Sequence, residues 1–279
     1  MVDLSVVIPA RDEEKSIGDV VKEVKVLFPE AEVIVINDGS RDSTGELAER
    51  AGGKVLNHQH PLGYGASLKE GIKESSHGLI AIIDGDGTYP VESLPTLVKE
   101  IEHADMVIGT RPPNKIPFFR RPAKGLLQGL ASYLLGRKIP DLNSGMRVIK
   151  KDLIYKFFHL LPDGFSFTST ITMAFVSEGY RVNFIPIDYL PRKGSSKINP
   201  FRDTLQFFLL ILRTILYFNP LKVFMPASIF LLLMGLSVLY YSAFVLGKVM
   251  DITSIVIILT SIQIGVMGAL ADLIVRRSK

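Results

Sequence analysis

The stretch Leu79–Pro90, LIAIIDGDGTYP, decides the fold that this sequence predicts. Its first five residues are apolar and rich in isoleucine, which is typical of a short strand buried on both faces of a sheet. The strand pattern stops at Asp84-Gly85-Asp86-Gly87, so two carboxylates separated by a glycine follow it directly. At the carboxyl end of a parallel strand, two carboxylates can hold a hard divalent cation that is shared with substrate phosphates. A plain Asp/Gly turn would have the same sequence, so the neighbouring segments must distinguish the two interpretations.

Strand and helix patterns alternate on both sides of this stretch. The predicted strands are Leu4–Pro9, Val33–Ile36, Lys54–Asn57, Leu79–Ile83 and Met106–Ile108, and the predicted helices are Ser16–Leu27, Ser43–Arg50, Ala66–Glu74 and Val91–Ile101. This alternation predicts an α/β fold with a Rossmann-like, mostly parallel sheet, flanking helices and ligands beyond the carboxyl ends of the strands.

Polar residues gather where the predicted strands end. They are Asp12-Glu13, Asn37-Asp38-Gly39-Ser40, the Asp84/Asp86 pair and Gly109-Thr110-Arg111. One acidic loop is usually a helix cap, as Asp42 or Ser43 is expected to be. Four polar loops at the same edge of a sheet favour a functional site instead.

The segment Gly63-Tyr64-Gly65-Ala66 opens a predicted helix, so its backbone N–H groups can face a phosphate. It lacks the Lys-Ser/Thr end of a Walker sequence and the third glycine of a Rossmann fingerprint. Alone, the segment fits a plain turn at least as well as a phosphate site.

Composition excludes several classes of function. The chain has 279 residues and no cysteine, which rules out disulfides, thiolate metal sites and cysteine nucleophiles. Its formal net charge of +4 does not demand a nucleic-acid partner, and none is expected. The five histidines show no paired metal spacing and are expected to be surface or loop residues. No G-x-S-x-G element, the signature of a serine nucleophile, is present. This favours a reaction in a single displacement step, with inversion at the reacting carbon, over a route through a covalent enzyme intermediate.

Six segments, taken in order, resemble a known family. They are VVIPARDEE, VINDGSRDST, LGYGAS, IIDGDGTYP, GTR and DLNSGMRV. Together they resemble family-2 glycosyltransferases of the GT-A fold, and within that family the polyprenyl-phosphate (dolichol-phosphate) hexosyl synthases, over roughly Val2 to Lys197. The resemblance implies an inverting, metal-dependent transfer of a hexose from a nucleotide-diphosphate sugar, of the GDP-mannose or UDP-glucose type, to polyprenyl phosphate.

The resemblance also implies roles for individual residues. The nucleotide-binding set is Pro9, Ala10, Arg11, Glu13, Asp38, Gly65, Asp84 and Gly85. Mg²⁺ or Mn²⁺ would be held by Asp84 and Asp86, with Asp86 as the direct ligand and Thr88 at the position where some relatives carry a glutamine. Asn37 departs from the commoner Asp-Asp-Gly-Ser motif.

The chemistry of the acceptor sets the remaining site residues. A phosphate monoester has a second pKa near about 6 and is anionic at neutral pH, so it needs cations more than a general base. The candidate acceptor-phosphate residues are Arg111, Arg120, Arg121, Lys124, Ser144, Arg192 and Lys197. Asp141 lies where related transferases place a catalytic base, and a helix-cap or turn role is equally open. Asp86, Arg111 and Asp141 form the catalytic set.

The C-terminal quarter of the sequence has the pattern of a membrane anchor. Val223–Leu246 and Ile252–Val275 each supply about 24 nearly uncharged residues, enough to cross a hydrocarbon core of roughly 30 Å. Flanking basic residues place the catalytic domain and both termini in the cytoplasm by the positive-inside rule; they are Lys222, Arg276, Arg277 and Lys279. The shorter Phe207–Phe218 segment predicts an amphipathic helix in the membrane interface. A second amphipathic stretch, 126–134, fits an interfacial or a core-facing helix equally well.

This pattern predicts three parts: a GT-A domain over residues 1–199, an interfacial helix over 200–221 and a two-helix transmembrane domain over 222–279. Two helices cannot enclose a channel unless several chains assemble, so a homo-oligomer is possible. A processive polysaccharide synthase is disfavoured, because the chain has no tryptophan for a Q-x-x-R-W motif. Transfer to another lipid acceptor, or a non-catalytic membrane scaffold with a nucleotide-sugar-binding domain, remain alternatives.

Overall fold

The structure is a computed structural model, and it describes residues 3–112, 125, 129, 131–133, 135–164, 166–191, 209, 212–245, 247 and 252–277. The chain forms two compact units. One comprises Met1–Tyr133 and Arg137–Leu210, and the other comprises Leu134–Gly136 and Ile211–Lys279. The boundaries predicted at residues 199 and 221 stay predictions.

A mixed sheet forms the centre of the first unit. Within the described residues its strands are β1 Leu4–Ala10, β2 Glu32–Asn37, β3 Lys54–Asn57, β4 Leu79–Ile82, β5 Met106–Thr110, β6 Arg147–Lys150 and β7 Val182–Pro186. Their spatial order is β3-β2-β1-β4-β6-β5-β7. β6 pairs antiparallel with β4 and β5, and the other pairs are parallel. The predicted α/β class and mostly parallel sheet are therefore confirmed.

Helices pack on this sheet because their apolar faces match its buried strands. In the first unit they are α1 Ile17–Leu27, α2 Thr44–Arg50, α3 Tyr64–Glu74, α4 Leu94–Glu100, α5 Lys151–Lys156 and α6 Phe167–Ser177, with short 3₁₀ turns at Val91–Ser93, Ile101–His103 and Phe158–Leu160. All seven residues of β1 are buried, as expected for a central strand covered on both faces. The predicted strands and helices agree with the structure to within a few residues, except that β6, β7, α5 and α6 had not been predicted.

The second unit contains a helical hairpin of α7 Leu221–Phe244 and α8 Ile252–Arg277. Each helix contains a 24-residue segment that, by length and composition, is long and apolar enough to cross a membrane, and each segment has a mean hydropathy of 2.1. Small residues let the helices approach closely: a Cβ at Gly268 would lie 2.5 Å from Phe224 Cβ, and Ser228 Oγ donates to Ser261 O at 2.8 Å. Most of the remaining apolar surface of the two helices is exposed.

The segments predicted to lie in the membrane interface are only partly described. Residues 212–218 are helical, with Arg213 exposed and Ile215 and Phe218 buried. In the 126–134 stretch, Tyr133 is 67% exposed. Its leucines, together with residues 207–208 and 210–211 of the first segment, lie outside the described residues.

Candidate active site

The carboxyl ends of β1, β2 and β4 meet at one edge of the sheet. The Asp38 N–H donates to Ala10 O at 2.9 Å, which ties the end of β2 to the end of β1. A Cβ at Gly85 would lie 3.2 Å from Ala10 Cβ and 3.3 Å from Pro9 O, so the turn after β4 packs directly on β1. The edge thus brings together four residues predicted to bind the nucleotide.

The loop after β1 is fastened to the loop after β2. The Glu13 N–H donates to Thr44 Oγ1 at 2.8 Å, and the Arg41 N–H donates to Asp12 Oδ1 at 3.0 Å. Asp12 has a φ of 54°, a left-handed conformation that aspartate tolerates better than most residues. Arg11 is exposed, with its Nε 3.9 Å from Asp12 Oδ2. Arg11 and Glu13 therefore both lie on a loop that is hydrogen-bonded to the loop after β2.

The two carboxylates after β4 are each oriented through one oxygen. Tyr64 Oη donates to Asp84 Oδ1 at 2.8 Å. Thr88 donates twice to Asp86 Oδ1, from its N–H at 3.0 Å and from its hydroxyl at 2.6 Å. Gly87 makes this turn possible with a φ of 69°. Thr88 is 1% exposed, so its hydroxyl supports Asp86 from the protein side.

A glycine forms the wall behind Asp84. A Cβ at Gly145 would lie 2.2 Å from Asp84 Oδ2, a distance that real Cβ atoms do not reach, so only glycine fits with Asp84 in this position. The Gly145 N–H donates to Tyr89 Oη at 2.7 Å, and Tyr89 packs edge-on against Tyr189 with ring centroids 5.4 Å apart. These contacts connect the turn after β4 to the turn before β6.

Arg111 and Asp141 form a two-pronged ion pair beside this wall. Arg111 Nε donates to Asp141 Oδ2 at 2.7 Å and Nη2 donates to Oδ1 at 2.9 Å, while the Asn143 N–H donates to Oδ1 at 3.2 Å. Asp141 is 1% exposed, whereas the Arg111 side chain is 20% exposed and its guanidinium carbon lies 5.6 Å from the Tyr189 ring centroid. The Nη1 side of the guanidinium has no hydrogen-bond partner among the described residues.

The local electrostatics suit a divalent cation. Burial, followed by the charge of Asp86, raises the pKa of Asp84 to about 6, and the charge of Arg111 acts in the opposite direction. Two carboxylates that repel each other in a half-buried position are stabilised when a cation lies between them. No group of three or more His, Cys, Asp or Glu side chains with metal-site geometry occurs in the described part of the chain. A cation at Asp84 and Asp86 would therefore take its other ligands from water or a bound phosphate.

A histidine that the sequence did not single out lies beside Asp38. His58 Nδ1 is 2.7 Å from Asp38 Oδ1, and His58 Nε2 contacts Glu70 Oε2. Asp38 also accepts the N–H groups of Leu62 at 2.7 Å and Gly63 at 3.0 Å. His58 lies in the loop after β3, as expected, but its side chain is only 6% exposed and is paired with two carboxylates.

Gly65, in the first turn of α3, packs directly against a distant segment of the backbone. A Cβ at Gly65 would lie 2.1 Å from Pro162 O, and the Ala66 N–H donates to Asp163 O at 3.0 Å. Lys69 adds an ion pair to Asp163 at 2.7 Å. The backbone at residues 162–164 thus explains why Gly65 has no side chain, and the assignment of Gly65 to the nucleotide stays a prediction.

Ser144 is not placed to bind the acceptor. Its side chain is 0% exposed and its hydroxyl donates to Gly109 O, so the prediction that it contacts the acceptor phosphate does not fit this structure. Arg147, which sequence reasoning missed, is also 0% exposed; it donates to Thr168 O at 2.9 Å and to Ser144 O. Arg147 therefore braces the turn that carries Gly145.

Five of the predicted acceptor-phosphate residues fall outside the part of the chain that the structure describes. Arg120, Arg121, Lys124, Arg192 and Lys197 lie outside the described residues. Their assignment to the acceptor phosphate stays a prediction. Tyr64 and Tyr89 were missed as site residues, although both lie inside segments that carry the family resemblance, LGYGAS and IIDGDGTYP.

The chain belongs to glycosyltransferase family 2: the family model described as glycosyl transferase family 2 matches residues 5–158, more than half of the chain. A second family model, the GtrB C-terminal hairpin, matches residues 219–276. The predictions of family and of enzyme class are confirmed, and the protein is a glycosyltransferase with two apolar C-terminal helices.

The chain is similar over most of its length to several named proteins. A dolichyl-phosphate hexose transferase of Haloferax volcanii is 32% identical over 204 residues, covering 71% of this chain and 88% of that protein. Glycosyltransferase AglJ of the same organism is 28% identical over 280 residues, covering 95% and 91%. An undecaprenyl-phosphate mannosyltransferase of Micrococcus luteus is 26% identical over 209 residues, covering 69% and 86%.

Solved structures share the fold of the first unit. Glucosyl-3-phosphoglycerate synthase from Mycobacterium tuberculosis, in complex with Mn²⁺, uridine-diphosphate and glucosyl-3-phosphoglycerate, aligns with a TM-score of 0.61. The alignment covers 76% of this chain and 80% of that one, at 20% sequence identity. At that identity the likeness shows the fold alone, and it confirms the predicted GT-A type.

Proposed function

We propose that this glycosyltransferase moves a hexose from a nucleotide-diphosphate sugar, with inversion, to polyprenyl phosphate at the cytoplasmic face of a membrane. The observation that carries the proposal is a pair of mutually repelling carboxylates, Asp84 and Asp86, close enough to the mostly buried cation Arg111 for its charge to act on Asp84. The names of the relatives, a dolichyl-phosphate hexose transferase and an undecaprenyl-phosphate mannosyltransferase, support the same acceptor class.

The donor half of the proposal rests on the carboxylates. Asp86 would be the direct ligand of Mg²⁺ or Mn²⁺, and Asp84, placed by Tyr64 and Gly145, would share the cation or its water. The cation would neutralise charge on the leaving nucleoside diphosphate, which provides the remaining ligands. We assign Thr88 to orienting Asp86 rather than to binding metal, because its hydroxyl already donates to Asp86.

The nucleoside would lie over the ends of β1 and β2. Pro9, Ala10 and Asp38 are held together there by the Asp38 N–H bond to Ala10 O. Gly85 packs on the same strand end, so the nucleoside and metal positions adjoin. Arg11 and Glu13 lie on the loop that follows β1, at the rim of this region.

The acceptor half rests on Arg111. Asp141 binds the Nε and Nη2 edge of its guanidinium, and Nη1 has no hydrogen-bond partner among the described residues, so Nη1 would be the group that takes a phosphate oxygen. A phosphate monoester is already anionic at neutral pH, so the reaction does not require Asp141 to take a proton. We therefore assign Asp141 to holding Arg111 in place, in preference to general-base catalysis.

The helical hairpin would anchor the enzyme where its lipid acceptor resides. Basic residues lie at the start of α7 and at the end of α8: Lys222 is in the first turn of α7, and Arg277 is the last residue of α8. The positive-inside rule then places both termini and the catalytic unit in the cytoplasm. The division into a catalytic domain, an interfacial helix and a transmembrane hairpin belongs to this proposal, as does assembly into a homo-oligomer.

The test is a donor screen with membranes that contain the full-length chain. Membranes are incubated with labelled UDP- and GDP-hexoses, and label is sought in a lipid that mild acid hydrolyses, as expected of a sugar joined to a phosphate. Matched membranes carrying Asp86→Ala serve as the control. Label in an acid-stable lipid would favour another lipid acceptor, and no metal-dependent lipid labelling with any donor would contradict the proposal.

A further inference from the structure

A histidine bridges two carboxylates next to the proposed nucleotide site. His58, just after β3, places Nδ1 2.7 Å from Asp38 Oδ1 and places Nε2 against Glu70 Oε2 on α3. Both of these ring contacts face hydrogen-bond acceptors, so both bonds form only when the imidazole carries two protons. The group of three then has a net charge of −1 with its positive member in the middle.

Asp38 is the residue that this bridge holds. Oδ1 of Asp38 accepts from the ring of His58 and from the Leu62 N–H, and Oδ2 accepts from the Gly63 N–H. A carboxylate has about four acceptor positions, so three are used by these contacts and one position on Oδ2 is left for a ligand. Because the carboxylate is held from three sides, that position has a fixed direction.

We propose that His58, backed by Glu70, is a positioning residue for the nucleotide donor: it fixes Asp38 so that the carboxylate accepts one hydrogen bond from the base or ribose. The inference rests on the proposed function, which assigns Asp38 to the nucleotide. The ligand it concerns is a nucleoside diphosphate with an N–H or O–H donor at that point.

The role depends on the charge of the ring. A neutral imidazole donates through one nitrogen only, so its other nitrogen presents a lone pair to a carboxylate and the bridge opens. Burial alone would lower the pKa of His58, but the hydrogen bonds and charges of Asp38 and Glu70 outweigh it and raise that pKa above its ordinary value. The ring therefore keeps both protons to a higher pH than an ordinary histidine does, and the bridge opens as the pH rises through the raised pKa.

The groups that face the ring are few. Within the described part of the chain, the ionisable side chains acting on His58 are Asp38 from the end of β2 and Glu70 from α3. The neighbouring Asn57 of β3 is neutral and accepts from Asn37 Nδ2 at 2.8 Å. Removing the charge of Glu70 thus removes one of the two groups that keep the ring protonated.

The experiment measures the affinity of the detergent-solubilised full chain for UDP and for GDP, with Mn²⁺, across pH 6 to 9.5. Glu70→Gln keeps the shape of the side chain and a carbonyl acceptor, and Glu70 is 42% exposed, so the fold tolerates the change. We expect affinity near the wild-type value at pH 6 and an alkaline fall that begins about one pH unit earlier than in the wild type. The ligand's own titration is common to both proteins and cancels in the comparison.

Matched variants separate this inference from the function on which it rests. Glu74→Gln, one turn further along α3 and paired with Lys54, should keep the wild-type profile. His58→Gln should weaken nucleotide binding about ten- to a hundred-fold at pH 6 and flatten the alkaline fall, while exposed His103→Gln should leave both unchanged.

Two results would count against different statements. If Asp38→Asn weakens nucleotide binding while Glu70→Gln keeps the wild-type pH profile, the positioning role of His58 is refuted and the nucleotide site stands. If Asp38→Asn binds UDP and GDP as the wild type does, or if the wild type binds neither, the nucleotide assignment itself fails.

Discussion

Replacing Gly145 by alanine should disable the cation site while leaving the sheet in place. The new Cβ would lie 2.2 Å from Asp84 Oδ2 and 2.6 Å from Oδ1, whereas ordinary contact begins at 3.4 Å. The carboxylate must therefore retreat by about 1 Å, and that movement also breaks the 2.8 Å bond from Tyr64 Oη. Overpacking of this kind costs about 1–3 kcal/mol, and the broken hydrogen bond adds about 1 kcal/mol.

The decisive assay for Gly145→Ala is Mn²⁺ binding in the presence of a nucleoside diphosphate, followed by electron paramagnetic resonance. A misplaced ligand should weaken Mn²⁺ binding roughly 10- to 100-fold, in line with the loss of a supporting contact at a metal site. Gly18→Ala is the matched control, because its Cβ would lie 3.8 Å from Leu47 O, an ordinary contact on helix α1. That control should bind Mn²⁺ as the wild type does.

A double-mutant cycle distinguishes a local clash from general damage. In an Asp84→Ala background the clashing oxygens are gone, so Gly145→Ala should cost less than about 0.5 kcal/mol of unfolding free energy. Equal destabilisation in both backgrounds would show that the clash with Asp84 is not the cause. Wild-type Mn²⁺ affinity in Gly145→Ala would refute the assignment of Asp84 to the cation site.

Three further predictions concern the same site. Asp86→Ala should abolish transfer with an unchanged thermal unfolding transition, and a chelator should abolish wild-type transfer reversibly; activity that survives either treatment contradicts the metal role. Asp141→Asn should raise KM for the lipid phosphate about tenfold and leave kcat within a few-fold, whereas a kcat loss of about 10²–10⁴ at constant KM would identify a general base. In the metal-free protein the pKa of Asp84 is raised from 3.8 to about 6. Between pH 3.8 and pH 6, Asp84 is therefore protonated in the folded state and ionised in the unfolded state. The free energy of unfolding, measured by chemical unfolding, should therefore fall by up to about 3 kcal/mol as the pH rises from 4 to 6. The fall should be smaller in Asp84→Asn, and saturating Mn²⁺ should reverse the sign of the slope.

The parallel half of the fold was predictable because its strands are continuous apolar runs that end in polar loops. Leu79–Ile83 carried that signal most clearly, and β4 covers all but its last residue. Asp84 and Asp86 come directly after this strand, and they were assigned to a ligand site by the rule that ligands lie beyond the carboxyl ends of strands. Residue type and strand order were sufficient for that inference.

The partners of the site residues were less predictable, because they depend on contacts between segments distant in sequence. His58 looked like a loop residue, and only the packing of α3 against β2 brings Glu70 to its second nitrogen. Gly65 looked like part of a phosphate-binding turn, yet its lack of a side chain is required by the backbone at Pro162, nearly a hundred residues later. The local sequence pattern shows that such residues are unusual at their positions, but it does not identify the distant residues that they contact.

The reversed strand β6 brings residues to the candidate site that the sequence did not place there. Arg147, the first residue of β6, is aligned with Ile82 near the end of β4 and with Ile108 in β5. Because β6 runs antiparallel, its beginning lies at the edge where its parallel neighbours end. The turn before it therefore delivers Asp141 to Arg111 and Gly145 to Asp84. A parallel β6 would carry the same turn to the opposite edge of the sheet, and neither contact could form.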